Sequence, residues 1–216
     1  MHDFSPLFDA WAASYDATVY DADHEYAEVF EGYNAILENI CEKISEKSGG
    51  VVLEIGIGTG NLTKLLYEKG FHVIGIEPSK EMRKIAQSKL PDVPIMDGHF
   101  LSIPVSVHMD AVVTSYAFHH LPLDEKKKAL VYLDGLLKDG GKIIIADTMF
   151  ESEEYKKSLL DRVKSSGAFN LLKDLNTEYY EYVEDICQLF RELNYQLEAE
   201  KMNQYVWMIS ASKGRD

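Results

Sequence analysis

Three glycines on alternate positions, Gly56, Gly58 and Gly60, follow a short apolar run, Val51 to Leu53, and a carboxylate, Glu54. Glycine at such a junction lets the backbone pass close to a ligand, because no side chain intervenes. A second apolar run, Phe71 to Ile76, is closed by Glu77 and Pro78. At the carboxyl end of a parallel strand an acidic side chain can accept both hydroxyl hydrogens of a ribose. The glycines and Glu77 therefore describe a nucleoside site, without saying which nucleoside. His119 and His120 are the only adjacent histidines. A neutral imidazole can take a proton from a hydroxyl, thiol or amine near neutral pH; either ring could equally pack under a loop and bond to backbone. His72 and His108 stand where strands begin, the wrong end for chemistry. No carboxylate or cysteine lies at a characteristic ligand spacing from these histidines, so no metal is expected.

The elements that must hold these residues follow from hydrophobic period. Val51 to Ile55 reads as a buried strand, and residues 60–69 switch to a helical pattern. Strand two spans 71–77, and Pro78-Ser79 opens a helix with Met82, Ile85, Ala86 and Leu90 inside. A short third strand falls at 93–96 and a fourth at 109–115. A helix at 123–137 is turned by Asp139-Gly140-Gly141 into strand five at 142–147. Near-continuous apolar strands alternating with helices mean a parallel sheet covered on both faces. Residues 151–193 read as helical with a polar break near 165–177, and Tyr179, Tyr182, Val183, Ile186, Phe190 and Leu193 form the stripe of the last helix. Two alternating runs, at 195–200 and 205–211, are joined by a link too short for a parallel crossover, which predicts an antiparallel hairpin.

Ahead of strand one, Tyr26, Val29, Phe30, Tyr33, Ile36, Leu37, Ile40 and Ile44 predict a helix over 25–47. The first twenty residues carry Phe4, Phe8, Trp11 and Tyr15, and the last three share one helical face. A helix that short must pack on something. The expected organisation is a single domain, 1–216, with 1–48 as an N-terminal helical lid or cap and 151–193 as a helical insertion before the terminal hairpin.

Composition narrows the function. The 216 residues are 46% apolar, which suits one folded domain. Twenty-two basic against 36 acidic residues give a formal charge of -14, which argues against nucleic acid and anionic membrane as partners. Cys41 and Cys187 sit in helical patterns and read as core hydrophobes. The start Met1-His2-Asp3 is not that of a signal peptide, and no run reaches membrane length, so a cytoplasmic setting is expected.

Taken together, Leu53 to Gly60 resembles the first motif of class I S-adenosylmethionine-dependent methyltransferases, which binds the methionine part of that cofactor. Glu77-Pro78 resembles the second motif, with the carboxylate on the ribose hydroxyls. Asp97-Gly98, followed by Phe100 and Leu101, resembles the third, where the aspartate meets the adenine amino group. Thr114 to His120 is similar to the segment after strand four that lines cofactor and substrate. The resemblance implies an α/β, Rossmann-like three-layer sandwich whose seven-stranded, mostly parallel sheet ends in an antiparallel C-terminal hairpin. It implies S-adenosylmethionine as methyl donor, with Tyr15, Glu54 and Ser115 joining the cofactor residues. Glu54 would contact the cofactor's amino group or brace its own turn. Tyr116, His119 and His120 become the candidate catalytic residues. No Asn/Asp-Pro-Pro-aromatic segment follows strand four, which speaks against planar amide or base nitrogens as acceptors. The branch implied acts on small molecules and includes uncharacterised bacterial members with an aromatic segment like Trp11 to Asp16; a monomer or homodimer is expected. Two rivals remain: a nicotinamide-dependent oxidoreductase, opposed by the hairpin and Asp97, and a non-catalytic S-adenosylmethionine-binding regulator.

Overall fold

The central strands are apolar because both of their faces are covered. In the computed structural model, which describes residues 5–21, 24–44 and 49–214, strands β1 (Val51–Ile55), β2 (His72–Ile76), β3 (Ile95–Met96), β4 (Met109–Ser115) and β5 (Leu137–Thr148) run parallel. The hairpin of β6 (Gln196–Lys201) and β7 (Val206–Ser212) joins antiparallel at the β5 edge. The order is β3-β2-β1-β4-β5-β7-β6, a Rossmann-like seven-stranded sheet of the predicted kind. Side chains alternate faces along each strand. Val52, Ala111 and Val113 enter one core, whereas Leu53, Ile55 and Val112 enter the other.

Helices close both cores. On the first face lie α3 (Tyr33–Ile44), α4 (Asn61–Glu68), α7 (Glu153–Ser166) and α8 (Phe169–Thr177); on the second lie α6 (Leu123–Asp134) and α9 (Val183–Glu192). Helix α5 (Lys80–Lys89) follows β2, and the short α1 (Ser5–Trp11) and α2 (Tyr15–Tyr20) precede α3. Cys41 and Cys187 are buried and unbridged. Among the described residues no helix is long and apolar enough to cross a membrane. Connections leave β1 and β4 in opposite directions, so the crevice for a ligand opens beyond their carboxyl ends.

Five local expectations need correction. The helix placed at 25–47 begins only at Tyr33, after turns, because Gly32 adopts φ +73°; residues 45–47, like Phe4 and the Met1 start, lie outside the described residues. The polar break at 165–177 contains α8, held by buried Leu171 and Leu175. Tyr179 lies in the loop before α9 and Tyr182 caps that helix rather than belonging to its stripe. Asp139-Gly140-Gly141 is a bulge inside β5, where the pairing with β4 shifts register, rather than a turn before it. Phe8, Trp11 and Tyr15 also do not share one helix, since α1 ends at Trp11 and α2 starts at Tyr15.

Candidate functional site

At the end of β1 the glycine turn is built from left-handed backbone: Gly56, Gly58 and Gly60 have φ of +72°, +56° and +87°. A Cβ on Gly56 would stand 2.6 Å from that of Ala117. Glu54, only 1% exposed, accepts a hydrogen bond from Thr63 Oγ1 at 2.7 Å. It therefore braces the turn against α4 and points away from the cavity. Burial pushes its carboxyl up to about 8. Glu77 is also buried but faces the cavity. Its Oε2 accepts from the Gly58 N–H at 2.9 Å and its Oε1 from the Ser79 N–H at 2.8 Å. Burial raises its pKa in spite of these bonds. Each oxygen keeps a lone pair for a further donor.

Asp97 and Gly98 do not reach this cavity. The Asp97 side chain is 73% exposed and pairs with Arg83 Nη1 at 3.0 Å. Strand β3 is two residues long, and the chain folds back at once through a bridge between His99 and Ser102. That return turns His99 and Phe100 inward in place of Asp97. Gly60 packs its backbone on Ala86 and Leu90, below the lining.

The cavity has a volume of about 440 Å³. Gly56, Gly58, Glu77 and Pro78 form its glycine-turn end, and Ser115, Tyr116, His119 and His120, from the end of β4 onward, form its histidine end, the two meeting where Gly56 packs on Ala117. Phe8, Trp11 and Tyr15 cover it, with ring centroids 6.5 Å and 5.1 Å apart in succession. Two aspartates fasten this cover. Asp9 accepts from Ser79 Oγ at 2.6 Å and from the Glu81 N–H at 3.1 Å, at the start of α5. Asp16 accepts from Thr59 Oγ1 at 2.5 Å and pairs with Lys89 Nζ at 2.6 Å.

The histidine end is made of side-chain pairs. Asp147, at the end of β5, accepts the His119 N–H at 2.9 Å and lies 2.7 Å from His119 Nδ1. A carboxylate there keeps the proton on Nδ1 and leaves Nε2 as the basic nitrogen. Burial is the largest single influence on His119 and lowers its pKa, but the Asp147 charge and hydrogen bond, with the Glu178 charge, together outweigh it and the net direction is up. Burial would raise the Asp147 carboxyl; His119 and two backbone N–H groups bring it below the ordinary range. His120 is lowered, by burial and then by His119, although its Nδ1 lies 3.1 Å from Glu178 Oε2. Tyr180 stacks on His119 at 4.8 Å, and Phe8 meets the His120 ring edge-on at 4.9 Å. Tyr26 donates a hydrogen bond to Asp174 at the same end. Tyr116 has φ +53°, and its hydroxyl is buried without a hydrogen-bond partner beside the rings of Phe30 and Tyr33.

Several of these residues were not identified from the sequence. Asp147 carried a readable signal, a carboxylate closing an apolar strand at the chemical end of the sheet. Glu178, Asp174 and His99 carried none, because they meet the site only through the fold. Glu178 also places beside the histidine pair a carboxylate that sequence spacing did not reveal. Among the described residues, His119, His120 and Glu178 each offer one donor atom, and these lie within 4.8 Å of one another.

Residues 53–145 match the family model described as "Methyltransferase domain". An uncharacterized methyltransferase of Alkaliphilus oremlandii is 59% identical over 214 residues, covering 99% of both chains. Another, from Halobacillus halophilus, is 42% identical over 98% of both chains. Among solved structures, the fold is similar to magnesium protoporphyrin IX methyltransferase from Synechocystis with bound SAH, at TM-score 0.73 and 15% identity over 98% of this chain and 100% of that one. It is also similar to a DhpI–SAM–HEP complex, at TM-score 0.72 and 16% identity over 95% and 94%.

Proposed function

Because the chain belongs to the class I S-adenosylmethionine-dependent methyltransferase family, we propose that it moves a methyl group from S-adenosylmethionine to a small molecule. The observation that carries this reading is one cavity lined at one end by the glycine turn and Glu77 and at the other by His119 and His120. Its cofactor end suits a nucleoside: Gly56 leaves no room for a side chain, Glu77 presents a carboxylate, and Trp11 and Tyr15 supply aromatic cover. When bound, S-adenosylmethionine supplies an electrophilic methyl group on a positively charged sulfur.

The chain's own residues do the rest. Glu77 accepts the ribose hydroxyls while its two bonds to Gly58 and Ser79 hold it still. Ser115 and Tyr15 line the same cavity. His119 receives the acceptor's proton at Nε2, and Asp147 fixes the ring and stabilises the imidazolium that results. Tyr180 and His120 hold the acceptor beside it. The roof of Phe8, Trp11 and Tyr15 keeps water from the transfer. No lysine or arginine is among the described residues lining the cavity, so a neutral or cationic acceptor suits it better than an anionic one. A net charge of -14 weighs against nucleic acid as the acceptor.

Calorimetry with S-adenosylhomocysteine, S-adenosylmethionine and NAD tests the cofactor. The adenosyl ligands are expected to bind and NAD is not; NAD binding with neither adenosyl ligand bound would sink the reading. Formation of S-adenosylhomocysteine across pools of small metabolites then identifies the acceptor.

A further inference from the structure

We propose that His119, His120 and Glu178 bind a divalent first-row transition metal at the acceptor end of the cavity. The inference deepens the methyltransferase reading and rests on it for the cation's use, though not for its binding.

Three observations support the site. The first is the donor set. Two imidazoles and one carboxylate form the ligand group of open zinc and non-haem iron centres, in which the remaining positions take water or substrate. Imidazole nitrogen favours zinc, iron, cobalt or nickel over magnesium and calcium, which prefer oxygen. The donor atoms lie within 4.8 Å of one another. Bonds of about 2.0–2.2 Å in a tetrahedral set place two donors on one ion roughly 3.3–3.6 Å apart, so side-chain rotations moving the donors by about 1 Å close the set. The contact now made between His120 Nδ1 and Glu178 Oε2, at 3.1 Å, shows both groups already turned toward each other.

The second observation is the support behind a ligand. A metal-binding histidine commonly donates its other ring N–H to a carboxylate, which fixes the ring and raises its basicity. Asp147 does this to His119 at 2.7 Å. Asp147 is itself 2% exposed and held by the backbone N–H groups of His119 and Thr148. The arrangement presents Nε2 of His119, and not Nδ1, as the ligand atom; a bound cation would occupy the nitrogen that serves as base in the metal-free site and would polarise the acceptor in its place, the acceptor's proton passing to solvent.

The third is position and charge. The three ligand side chains are only 12%, 18% and 12% exposed, in the order His119, His120 and Glu178. They remain part of the cavity lining, so a bound cation keeps access to the acceptor. Asp147, Asp174 and Glu178 place three carboxylates around this end, while the neighbouring cation, Lys126, is turned to Glu181 and the Tyr179 carbonyl. A divalent ion would balance that charge and hold the acceptor's reacting atom in place.

The test uses the full-length protein, stripped with a chelator and dialysed. Zn²⁺ uptake is measured by calorimetry and Co²⁺ uptake by visible absorption, each with and without S-adenosylhomocysteine. Expected are one cation per chain and a four- or five-coordinate cobalt spectrum. Glu178→Gln and His120→Asn should each weaken uptake by at least about 10–100-fold, the scale for losing even an outer-shell partner. Both variants should bind S-adenosylhomocysteine in metal-free buffer as the wild type does, which shows that they fold. Failure to take up either cation by a protein that binds S-adenosylhomocysteine would overturn the metal site and leave the methyltransferase reading intact. Equal uptake by the wild type and both folded variants would also overturn it, by placing the ions elsewhere on the acidic surface. Stoichiometric uptake without nucleoside binding would keep the metal and remove the transfer reading.

Discussion

The two ends of the cavity are built by different means. The glycine-turn end is made of backbone. Its carboxylates reach across short stretches of chain: Glu77 binds the Gly58 and Ser79 amides, 19 and 2 positions away, and Glu54 binds Thr63 of the next helix, 9 positions away. The histidine end is made of side chains brought from afar. Glu178 reaches His120 across 58 positions, and Asp174 reaches Tyr26 across 148. A backbone site is rigid and tolerates few substitutions, whereas a side-chain site can be retuned one residue at a time. That division suits a chain that keeps one donor and selects its acceptor.

The largest break comes at the backbone end. Gly56→Val would put a branched side chain where a Cβ already stands 2.6 Å from Ala117, at a φ of +72° that such residues avoid. Complete loss of S-adenosylhomocysteine binding is expected by calorimetry. Normal binding by a folded variant would show that the two ends do not differ in this way. At the other end, His119→Asn should leave S-adenosylhomocysteine affinity unchanged while slowing methyl transfer by roughly 10²–10⁴-fold, the usual contribution of a positioned base. Equal losses in affinity and rate would erase the division between the ends.

A smaller effect sharpens the comparison through pH. Glu54 has a folded pKa raised to about 8 by burial, against an ordinary carboxyl near 4.5. A group raised on folding contributes stability that is full below its unfolded value and fades as pH rises through the folded one. Unliganded wild type should therefore lose stability from about pH 4.5 to 8 relative to Glu54→Gln, whose amide can still accept from Thr63. Thermal unfolding of the two proteins across that range measures the difference. Parallel curves would mean that Glu54 ionises in the fold as readily as in the unfolded chain, so that burial does not raise its pKa.

Legibility in the sequence follows the same division. The parallel strands, the turn and Glu77 are readable because strand period, glycine spacing and a closing carboxylate are local signals. The terminal hairpin was readable because a three-residue link permits little else. Asp97 misled because its strand is only two residues long, so the chain turned before the aspartate could face inward. α8 was masked by its polar residues, since only Leu171 and Leu175 are buried. Glu178 and Asp174 were invisible for a different reason: their loop and helix meet the site only when the sheet has folded, and nothing in their neighbours marks that meeting. Tyr180 stood among several tyrosines, and only its stacking on His119 separates it from the rest.

Asp9 and Asp16 fasten a single cover over both ends of one cavity. If that cover opens for exchange, the two ligands share one door in kinetic terms. Spent donor and methylated product would leave through the same opening event, and fresh donor would enter through it. The interval between openings would then set an upper bound on turnover, however fast the transfer itself becomes. An acceptor that lingers also detains the spent donor, so slow product escape and tight product inhibition would be two readings of the same two carboxylates.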